Sequence, residues 1–258
     1  MKELPKISII TPSFNQGEFI EKTIQSVINQ DYSNTEYIVI DGGSSDSTVE
    51  IIEQYEKHIT YWISEPDTGQ SNAINKGLKK ATGEIWAYLC SDDTYNEGVL
   101  QSVATVFQEN PNCDLIYGGC NFINENNIVT RVKRPGEFNR KKLLMGNYLY
   151  QPSVFLRTNI FQRFGLFSEE LNYSMDYEYW LRISKEANFC YIDKILSNYR
   201  LHTNSKSMDQ IVSMVRESSK VRKRYGAGWR ADLDYILFVM WGQHYYRFKR
   251  RFFEWISA

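Results

Sequence analysis

The residues with the clearest capacity for chemistry are two adjacent aspartates, Asp92 and Asp93, which follow the apolar run IWAYLC at 85–90. Two neighbouring carboxylates repel each other and are costly to bury unless a cation lies beside them. Mg²⁺ and Mn²⁺ take carboxylate ligands and share their remaining positions with water and substrate phosphates. The pair therefore indicates either a divalent-cation site or an ordinary solvated turn, and taken alone it favours the turn.

Three further acidic or polar groups have equally plain alternatives. Asp67 opens the tripeptide DTG of aspartic proteases, but that chemistry needs two such aspartates and this sequence has one copy. Asp176 and Glu178 lie in the first turn of a predicted helix, where the helix dipole alone favours carboxylates. His202 stands in the polar stretch YRLHTNSKS, and a lone histidine is more often a surface or core residue than a ligand.

Glycine-rich loops offer a weak signal for a nucleotide. The segment 41–46 reads DGGSSD but lacks the Gly-Lys-Ser/Thr ending of a P-loop, and the sequence has no GxGxxG. Its glycines still allow the backbone to approach a ligand closely, and Asp41 could accept a hydrogen bond from a base N–H.

The elements that position these residues alternate between strands and helices over the first 120 residues. Strands are predicted at 6–11, 37–40, 59–64, 84–90 and 114–118, with helices between them, including 71–81 and 98–108. This alternation predicts a parallel sheet with helices on both faces, in which ligands collect beyond the carboxyl ends of the strands. Those ends are Thr11, Asp41, 65–67 and 91–93, and each is polar or acidic.

Composition excludes several classes of protein. The 30 Lys and Arg residues balance 31 Asp and Glu residues, so no excess of positive charge points to nucleic acid. The four cysteines show no CxxC spacing and the three histidines are scattered, which argues against a zinc site or a disulfide framework and fits reduced thiols in a cytoplasm. We see no signal peptide at the start and no run of about eighteen apolar residues that would span a membrane.

The C-terminal part, from 209 onward, is predicted to be helical. One helical stripe is aromatic and the opposite side is basic, with Arg247, Arg250 and Arg251; the stripe consists of Trp241, Tyr245, Phe248, Phe252 and Trp255. Such a helix can lie on an anionic membrane surface, or it can pack on its own domain or on a second subunit. Both alternatives remain open at this stage.

Taken together and in order, six segments over residues 5–205 resemble the family 2 glycosyltransferases of the GT-A fold. They read TPSFNQGEFI, YIVIDGGSSDST, SEPDTGQSNAINKG, ATGEIWAYLCSDD, QPSVF and MDYEYWLR. The resemblance implies an α/β fold, GT-A-like, with a Rossmann-like and mostly parallel central sheet flanked by helices, and a helical C-terminal extension. It divides the chain into a nucleotide-sugar-binding half at 1–120, an acceptor-binding and catalytic half at 121–208, and the extension at 209–258.

The resemblance also implies roles for individual residues. Asp93 would bind a divalent metal, with His202 close to the metal or the diphosphate, and Asp176 would be the catalytic base. Met175 stands where the family usually has Glu, which leaves Glu178 as an alternative base. The nucleotide-sugar site would consist of Thr11, Pro12, Ser13, Asn15, Asp41, Gly43, Asp67, Gln70, Asn75, Ser91 and Asp92.

The activity implied is that of an inverting, metal-dependent glycosyltransferase that uses Mn²⁺ or Mg²⁺. The expected donor is a UDP-sugar, and the expected acceptor is a hydroxyl of a glycan or lipid-linked molecule in surface polysaccharide or glycoconjugate assembly. The expected location is the cytoplasm, with peripheral contact to the inner membrane or a homodimer through the C-terminal helices. Two rivals are a catalytically silent sugar-nucleotide-binding subunit and a sugar-1-phosphate nucleotidyltransferase, whose Gly-rich, basic N-terminal signature is absent here.

Overall fold

A computed structural model of the chain describes residues 4–202, 211–237 and 242. Strands and helices alternate through the first part of the chain. The strands are β1 (Ile7–Ser13), β2 (Thr35–Asp41), β3 (Tyr61–Ser64), β4 (Ile85–Tyr88) and β5 (Thr94–Tyr95). The helices between and after them are α1 (Ile20–Ile28), α2 (Thr48–Gln54), α3 (Gln70–Lys80) and α4 (Val99–Glu109), with a short 3₁₀ turn at Glu56–His58.

The second part of the chain mixes strands with shorter helices. Its strands are β6 (Leu115–Ile123), β7 (Val129–Lys133), β8 (Val154–Arg157) and β9 (Phe189–Arg200). Its helices are α5 (Arg140–Met145), α6 (Asn159–Phe164), α7 (Met175–Ile183), α8 (Ile211–Arg224) and α9 (Arg230–Leu237), and a 3₁₀ turn at Gln151–Ser153 precedes β8.

All nine strands of the described residues form one sheet in the order β3-β2-β1-β4-β8-β6-β9-β5, with β7 paired to β6. β1 to β4 are mutually parallel where they pair, and β8 is inserted antiparallel between β4 and β6. β6 and β9 are parallel again, whereas β5 runs antiparallel to β9. The predicted division at residue 120 therefore falls within β6, and both halves share one sheet.

Two apolar cores cover the two faces of this sheet. One core contains the apolar side of α1, formed by Ile20, Ile24 and Val27, together with α4. The other contains the buried side of α3 and most of α7, including Trp180 and Leu181. Because residues at i, i+4 and i+7 share one face of a helix, the spacing in the sequence fixes which side of α1 meets the sheet. The predicted α/β fold, with a mostly parallel sheet between helices, is confirmed.

One expectation about the cysteines is wrong. We expected reduced thiols, but Cys113 and Cys190 form a disulfide. Cys113 lies just before β6, and Cys190 lies in the neighbouring strand β9 opposite Ile116. The two residues are 77 positions apart in sequence, so no local spacing could reveal that the sheet brings them together.

The C-terminal part is described only up to α9 and at residue 242. The aromatic and basic stripe predicted for residues 241–255 lies outside the described residues. Within the described ranges, the structure contains no helix with the length and apolarity needed to cross a bilayer.

Candidate active site

The carboxyl end of β2 is organised by Asp41, whose side chain is fully buried. Its Oδ2 accepts hydrogen bonds from the backbone N–H of Gly43 at 3.1 Å, the N–H of Ser44 at 2.8 Å and the hydroxyl of Ser64 at 2.6 Å. The Ser44 hydroxyl donates to Oδ1 at 2.5 Å. Asp41 therefore holds the glycine-containing loop after β2 in shape, and these bonds occupy its carboxylate.

The carboxyl end of β1 presents an unused polar group. Ser13 is buried, and its hydroxyl has no hydrogen-bond partner among the described residues. Buried hydroxyls are normally bonded, so a ligand that reaches this strand end would find a ready donor or acceptor. Thr11 is bonded to the hydroxyl of Tyr37 at 3.1 Å, and the side chain of Asn15 accepts the N–H of Ser45 at 2.9 Å. Pro12, between Thr11 and Ser13, is also buried.

The loop after β3 brings Asp67 against the loop after β2. A Cβ added to Gly42 would lie 2.8 Å from an Asp67 carboxylate oxygen, so a larger residue here would require the Asp67 side chain to shift. Gly43, with φ +81°, adopts a left-handed conformation that favours glycine. Asp67 also accepts the N–H of Gly69 at 2.7 Å, at the start of α3. These contacts bring Asp67 and the loop of Gly43 to one edge of the sheet, as the strand order predicts.

Two residues of α3 differ in their placement. Gln70 donates from Nε2 to the sulfur of Cys90 at 3.0 Å and thus reaches the turn that carries the two aspartates. The side-chain amide of Asn75 instead donates to the backbone carbonyl of Phe167 at 3.0 Å and to the carboxylate of Glu169 at 2.9 Å. Its oxygen accepts the backbone N–H of Phe167 at 3.0 Å. The structure brings Gln70 to the strand ends, whereas Asn75 anchors the segment before α7.

The aspartate pair lies in a tight turn after β4, and its two members are unequal. Asp93 is 1% exposed, and burial followed by the charge of Asp92 raises its pKa well above the usual range. Its Oδ1 accepts the backbone N–H of Arg200 at 2.9 Å. The side chain of Asp92 is 21% exposed, and its carbonyl accepts the Nε of Arg200 at 2.7 Å. Asp92 therefore offers the more accessible carboxylate, and Asp93 lies behind it.

A buried cation thus lies beside the two carboxylates. Arg200 is 1% exposed, and its Nη1 donates to the carbonyls of Asn124 and Glu125 at 3.1 and 3.3 Å. Its guanidinium carbon lies 5.0 Å from the ring centre of Phe19. This arginine explains how a buried strand can end in two adjacent acids, because its charge offsets part of their repulsion.

The chemistry of this turn fits a hard divalent cation. The side-chain ligand atoms of Cys90, Asp92 and Asp93 lie within 4.8 Å of one another. The Nε2 atom of His202 lies 3.0 Å from Oδ2 of Asp92. The imidazole ring of His202 also packs against Phe19, with 4.7 Å between the two ring centres. Ser91, between Cys90 and Asp92, is buried. Two carboxylates with an imidazole beside them form a donor set that Mn²⁺ or Mg²⁺ can use.

Asp176, in the first turn of α7, is the second acidic centre. Its Oδ2 accepts the side-chain N–H of Asn147 at 3.0 Å, and its Oδ1 accepts the backbone N–H of Tyr177 at 2.6 Å. Burial raises the pKa of Asp176 to about 6, although both of these hydrogen bonds oppose the shift. A half-buried carboxylate that loses its proton near neutral pH has the property required of a general base.

Glu178 does not share this setting. Residues two apart on a helix point about 200° apart, so Glu178 faces the interior when Asp176 faces outward. Glu178 is 3% exposed and forms an ion pair with Arg182 at 2.5 Å, and the hydroxyl of Tyr225 donates to it. Arg182 is also held by the carbonyls of Phe164 and Leu166 at 2.8 and 2.9 Å. Glu178 therefore serves the packing of α7, and Asp176 is the more accessible of the two carboxylates.

The two acidic centres share one neighbourhood. Tyr88, the last residue of β4, is buried, and its pKa is raised chiefly by burial and then by the charges of Asp176, Cys90 and Asp93. Gln151, in the 3₁₀ turn before β8, donates to the Tyr88 carbonyl at 2.7 Å. A bound molecule at the end of β4 could therefore contact the aspartate turn on one side and Asp176 on the other.

Sequence reasoning missed Arg200 and Asn147. Arg200 and His202 are two residues apart at the end of a strand, and such residues lie on the same side of the chain. That spacing was visible in YRLH and could have linked both residues to one site. No comparable signal marked Asn147, because its contact with Asp176 depends on the fold of the 146–150 segment.

Comparison with known proteins shows which family the sequence matches. Residues 8–170 match the model of Glycosyl transferase family 2. The chain is 32% identical over 214 residues to an Escherichia coli protein named UDP-Glc:alpha-D-GlcNAc-diphosphoundecaprenol beta-1,3-glucosyltransferase WfgD, covering 82% of this chain and 83% of that protein.

Solved structures share the fold at low sequence identity. S. aureus TarS has a TM-score of 0.66 at 21% identity, covering 83% of this chain, and this chain spans 39% of that one. Mannosyltransferase PcManGT from Pyrobaculum calidifontis, in complex with GDP-Man and Mn²⁺, has a TM-score of 0.67 at 16% identity, with 95% of this chain and 72% of that chain covered. TarS 1–349 has also been solved in complex with UDP-GlcNAc.

Proposed function

The chain belongs to glycosyl transferase family 2, and from that premise we propose that it moves a sugar from a nucleotide sugar to an acceptor hydroxyl with inversion at the anomeric carbon. The observation that carries the proposal is Asp176, a half-buried carboxylate with its pKa raised to about 6, whose charge acts on Tyr88 together with that of Asp93. Both centres lie around Tyr88 at the end of β4.

The proton chemistry follows from Asp176. An acceptor hydroxyl has a pKa far above neutrality, so a carboxylate within hydrogen-bonding reach is needed to take its proton during attack. The hydroxyl oxygen forms a bond to the anomeric carbon, the bond from that carbon to the diphosphate oxygen breaks, and the nucleoside diphosphate leaves with the electron pair. Asp176 holds the proton, and Asn147 keeps its carboxylate oriented through the 3.0 Å hydrogen bond. Such positioned base catalysis contributes roughly 10²–10⁴ in rate.

We propose that Asp92, Asp93 and His202 hold a divalent cation, Mn²⁺ or Mg²⁺. When bound, the ion would supply positive charge to the diphosphate leaving group. From the sequence we predicted Asp93 as the ligand and Asp92 on the ribose side. The exposure of the two side chains leads us to propose Asp92 as the main ligand and Asp93 as the residue that fixes the turn through Arg200.

The nucleotide part of the donor is proposed to lie along the ends of β1, β2 and β3. The unpartnered hydroxyl of Ser13 and the close approach of the Gly42 and Asp67 loops support this placement. We retain Thr11, Pro12, Asn15, Asp41, Gly43, Gln70 and Ser91 as lining this region, with Asn75 as a structural anchor behind it. A UDP-sugar is the proposed donor, because WfgD is named for UDP-Glc and TarS 1–349 was solved with UDP-GlcNAc.

The proposed acceptor is a hydroxyl of a glycan or of a lipid-linked sugar. The name of WfgD includes a diphosphoundecaprenol-linked acceptor, and this supports the lipid-linked class for the present chain. A lipid-linked acceptor would bring the enzyme to the cytoplasmic face of the inner membrane, with the C-terminal part as the contact or as a dimer interface. Liposome flotation with and without residues 229–258 tests this contact, and equal flotation contradicts it.

The proposed function is tested by nucleotide release across a panel of UDP-, GDP- and dTDP-sugars, with Mn²⁺ and with EDTA. We expect release from at least one donor, stimulated by Mn²⁺ and lost in EDTA. A protein that binds donors but releases no nucleotide would be a silent binding subunit. Release that persists in EDTA would remove the metal role given to the aspartate turn.

A further inference from the structure

The segment that leads into α7 is held by a residue of the C-terminal helix α8. The carboxylate of Glu217 accepts three consecutive backbone N–H groups, from Asn172 at 3.1 Å, Tyr173 at 2.8 Å and Ser174 at 2.7 Å. Ser174 is the N-cap of α7, and its side chain makes no capping bond to the helix. Its hydroxyl is instead bonded to the hydroxyl of Ser218 at 2.9 Å. The segment is therefore tied down from α8.

This arrangement fixes the chain just before α7, up to and including its N-cap Ser174, from a residue that is distant in sequence. The N–H groups at the start of a helix lack partners within the helix and need another acceptor. Here the N–H groups just before that start meet a carboxylate that is more than forty residues away in sequence. Asp176 is the second residue of α7, so any movement of this entry segment also moves its carboxylate.

The other side of Asp176 is also held from α8. Arg222 donates its Nε to the carbonyl of Leu144 at 2.9 Å, in the last turn of α5. Tyr177 donates its hydroxyl to the neighbouring carbonyl of Leu143 at 2.5 Å. Three residues after Leu144, the side chain of Asn147 reaches Oδ2 of Asp176. One helix thus supports both the residue proposed as the base and the segment that orients it.

The charge of Glu217 also acts on Asp176 directly. After burial, which is the main cause, the negative charge of Glu217 contributes to the raised pKa of Asp176. The other groups that act on it are the N–H of Tyr177, the amide of Asn147 and the backbone N–H of Asp176 itself, all of which lower that pKa. Asp176 in turn raises the pKa of the Tyr88 hydroxyl on β4.

We propose that Glu217 is a positioning residue for Asp176, which fixes the start of α7 in the orientation that proton transfer requires. The inference rests on the proposed function, in which Asp176 accepts the proton of the acceptor hydroxyl. It assigns α8 a part in the reaction. The alternative is that Glu217 only stabilises the fold and has no effect on proton transfer by Asp176.

The test compares Glu217→Ala and Glu217→Gln with Ser219→Ala in the full chain. Ser219 is in the same helix, and its buried hydroxyl donates to the carbonyl of Ala231 at 2.7 Å, in α9. Ser219→Ala therefore weakens the α8–α9 packing without touching α7. Circular dichroism is used to choose a temperature at which all variants are folded. Hydrogen exchange of the amides at 172–174 then measures how firmly Glu217 holds this segment, and steady-state kinetics measures the effect on kcat and KM for sugar transfer.

We expect faster exchange of these amides in Glu217→Ala, with kcat for transfer lowered roughly ten- to hundred-fold and the donor KM within twofold of wild type. Ser219→Ala should keep wild-type exchange at 172–174 and wild-type kcat. In Glu217→Gln the acid limb of the pH profile should move to lower pH, because removal of a negative charge near Asp176 lowers its pKa. A purely structural role would not move that limb.

Unchanged exchange in Glu217→Ala, or equal losses of kcat in Glu217→Ala and Ser219→Ala, would overturn the inference. An unmoved acid limb in Glu217→Gln would also count against it. If the wild-type protein releases no nucleotide with any donor, the proposed function fails. The exchange measurement would still show, independently of activity, whether Glu217 fixes the start of α7.

Discussion

Arg200 donates its backbone N–H to the carboxylate of Asp93 at 2.9 Å and its side-chain Nε to the carbonyl of Asp92 at 2.7 Å. The last residue of β9 is thereby joined to the turn after β4, which precedes it by 108 residues in sequence. The bonds account for the survival of two adjacent acids at the end of a buried strand, and they leave the carboxylate of Asp92 available to a ligand.

Arg200→Gln should destabilise the protein strongly. The substitution removes a buried guanidinium that donates to the carbonyls of Asp92, Asn124 and Glu125. Each buried acceptor left without a partner costs about 1–3 kcal/mol in the free energy of unfolding, and the positive charge beside the two carboxylates is lost as well. Urea denaturation measures the change. The matched control is Arg134→Gln, which removes an exposed pair with Asp193 and should leave the midpoint nearly unchanged. Equal midpoints for the two variants would show that Arg200 has no such role.

Asp92→Asn and Asp93→Asn should differ in kind. We expect Asp92→Asn to weaken Mn²⁺ binding, measured by electron paramagnetic resonance of the free ion in the presence of UDP, at least tenfold while the protein stays as stable as wild type. Asp93→Asn should keep most of the Mn²⁺ binding and leave the urea midpoint at or above the wild-type value, because the amide oxygen can still accept the N–H of Arg200 and a buried carboxyl with a raised pKa is replaced by a neutral group. Loss of Mn²⁺ binding in Asp93→Asn at wild-type stability would instead support Asp93 as the main ligand, as predicted from the sequence.

Asn147→Ala should move the pH dependence of transfer. In the wild type, kcat/KM should fall below a pH of about 6, because a protonated Asp176 cannot accept a proton. The hydrogen bond from Asn147 favours the charged carboxylate and lowers its pKa, so its removal raises that pKa and moves the limb to higher pH. A full pH–rate profile of both proteins gives the answer. A limb that stays in place or moves to lower pH would contradict the contact.

Glu178→Gln should cost stability and preserve the chemistry. The variant leaves Arg182 without its ion pair in a buried setting, so we expect a loss of several kcal/mol in the free energy of unfolding. At a temperature where the variant is folded, it should transfer sugar with an unshifted acid limb. If Glu178→Gln stays fully stable but loses transfer, Glu178 would become the candidate base.

Much of the first half could be predicted from the sequence because its signals are local. The β-branched runs, the helical spacing of Ile20, Ile24 and Val27, and the polar residues that follow each strand all act over a few positions. The predicted helices 71–81 and 98–108 lie within one residue of α3 and α4 at each end.

The second half depends on partners that are distant in sequence. β9 has no clean alternation of buried and exposed residues, and its exposed residues Asp193 and Lys194 interrupt the pattern of a buried strand. The strand forms because β6 and β5 lie on either side of it. The bond between Cys113 and Cys190 and the buried role of Asn75 depend in the same way on long-range packing.

The candidate site was only partly predictable for the same reason. The acids could be located, since Asp92, Asp93 and Asp176 stand at strand and helix ends where ligands collect. Their surroundings could not be read from the sequence, because these are set by contacts from residues distant in the chain. Asn147 lies 29 residues from Asp176, Arg200 lies 108 residues from Asp92, and Glu217 lies 43 residues from Ser174. Which of Asp176 and Glu178 is the more accessible carboxylate could be seen only once α7 showed which side of the helix is buried.

The central claim is that Asp176 is the base of a sugar transfer from a nucleotide sugar. It is tested most directly by a comparison of wild type and Asp176→Asn, in which donor binding is measured by calorimetry and sugar transfer by product formation. We predict donor affinity within about twofold of wild type and transfer reduced by roughly 10²–10⁴. Transfer by Asp176→Asn at near wild-type rate would contradict the claim.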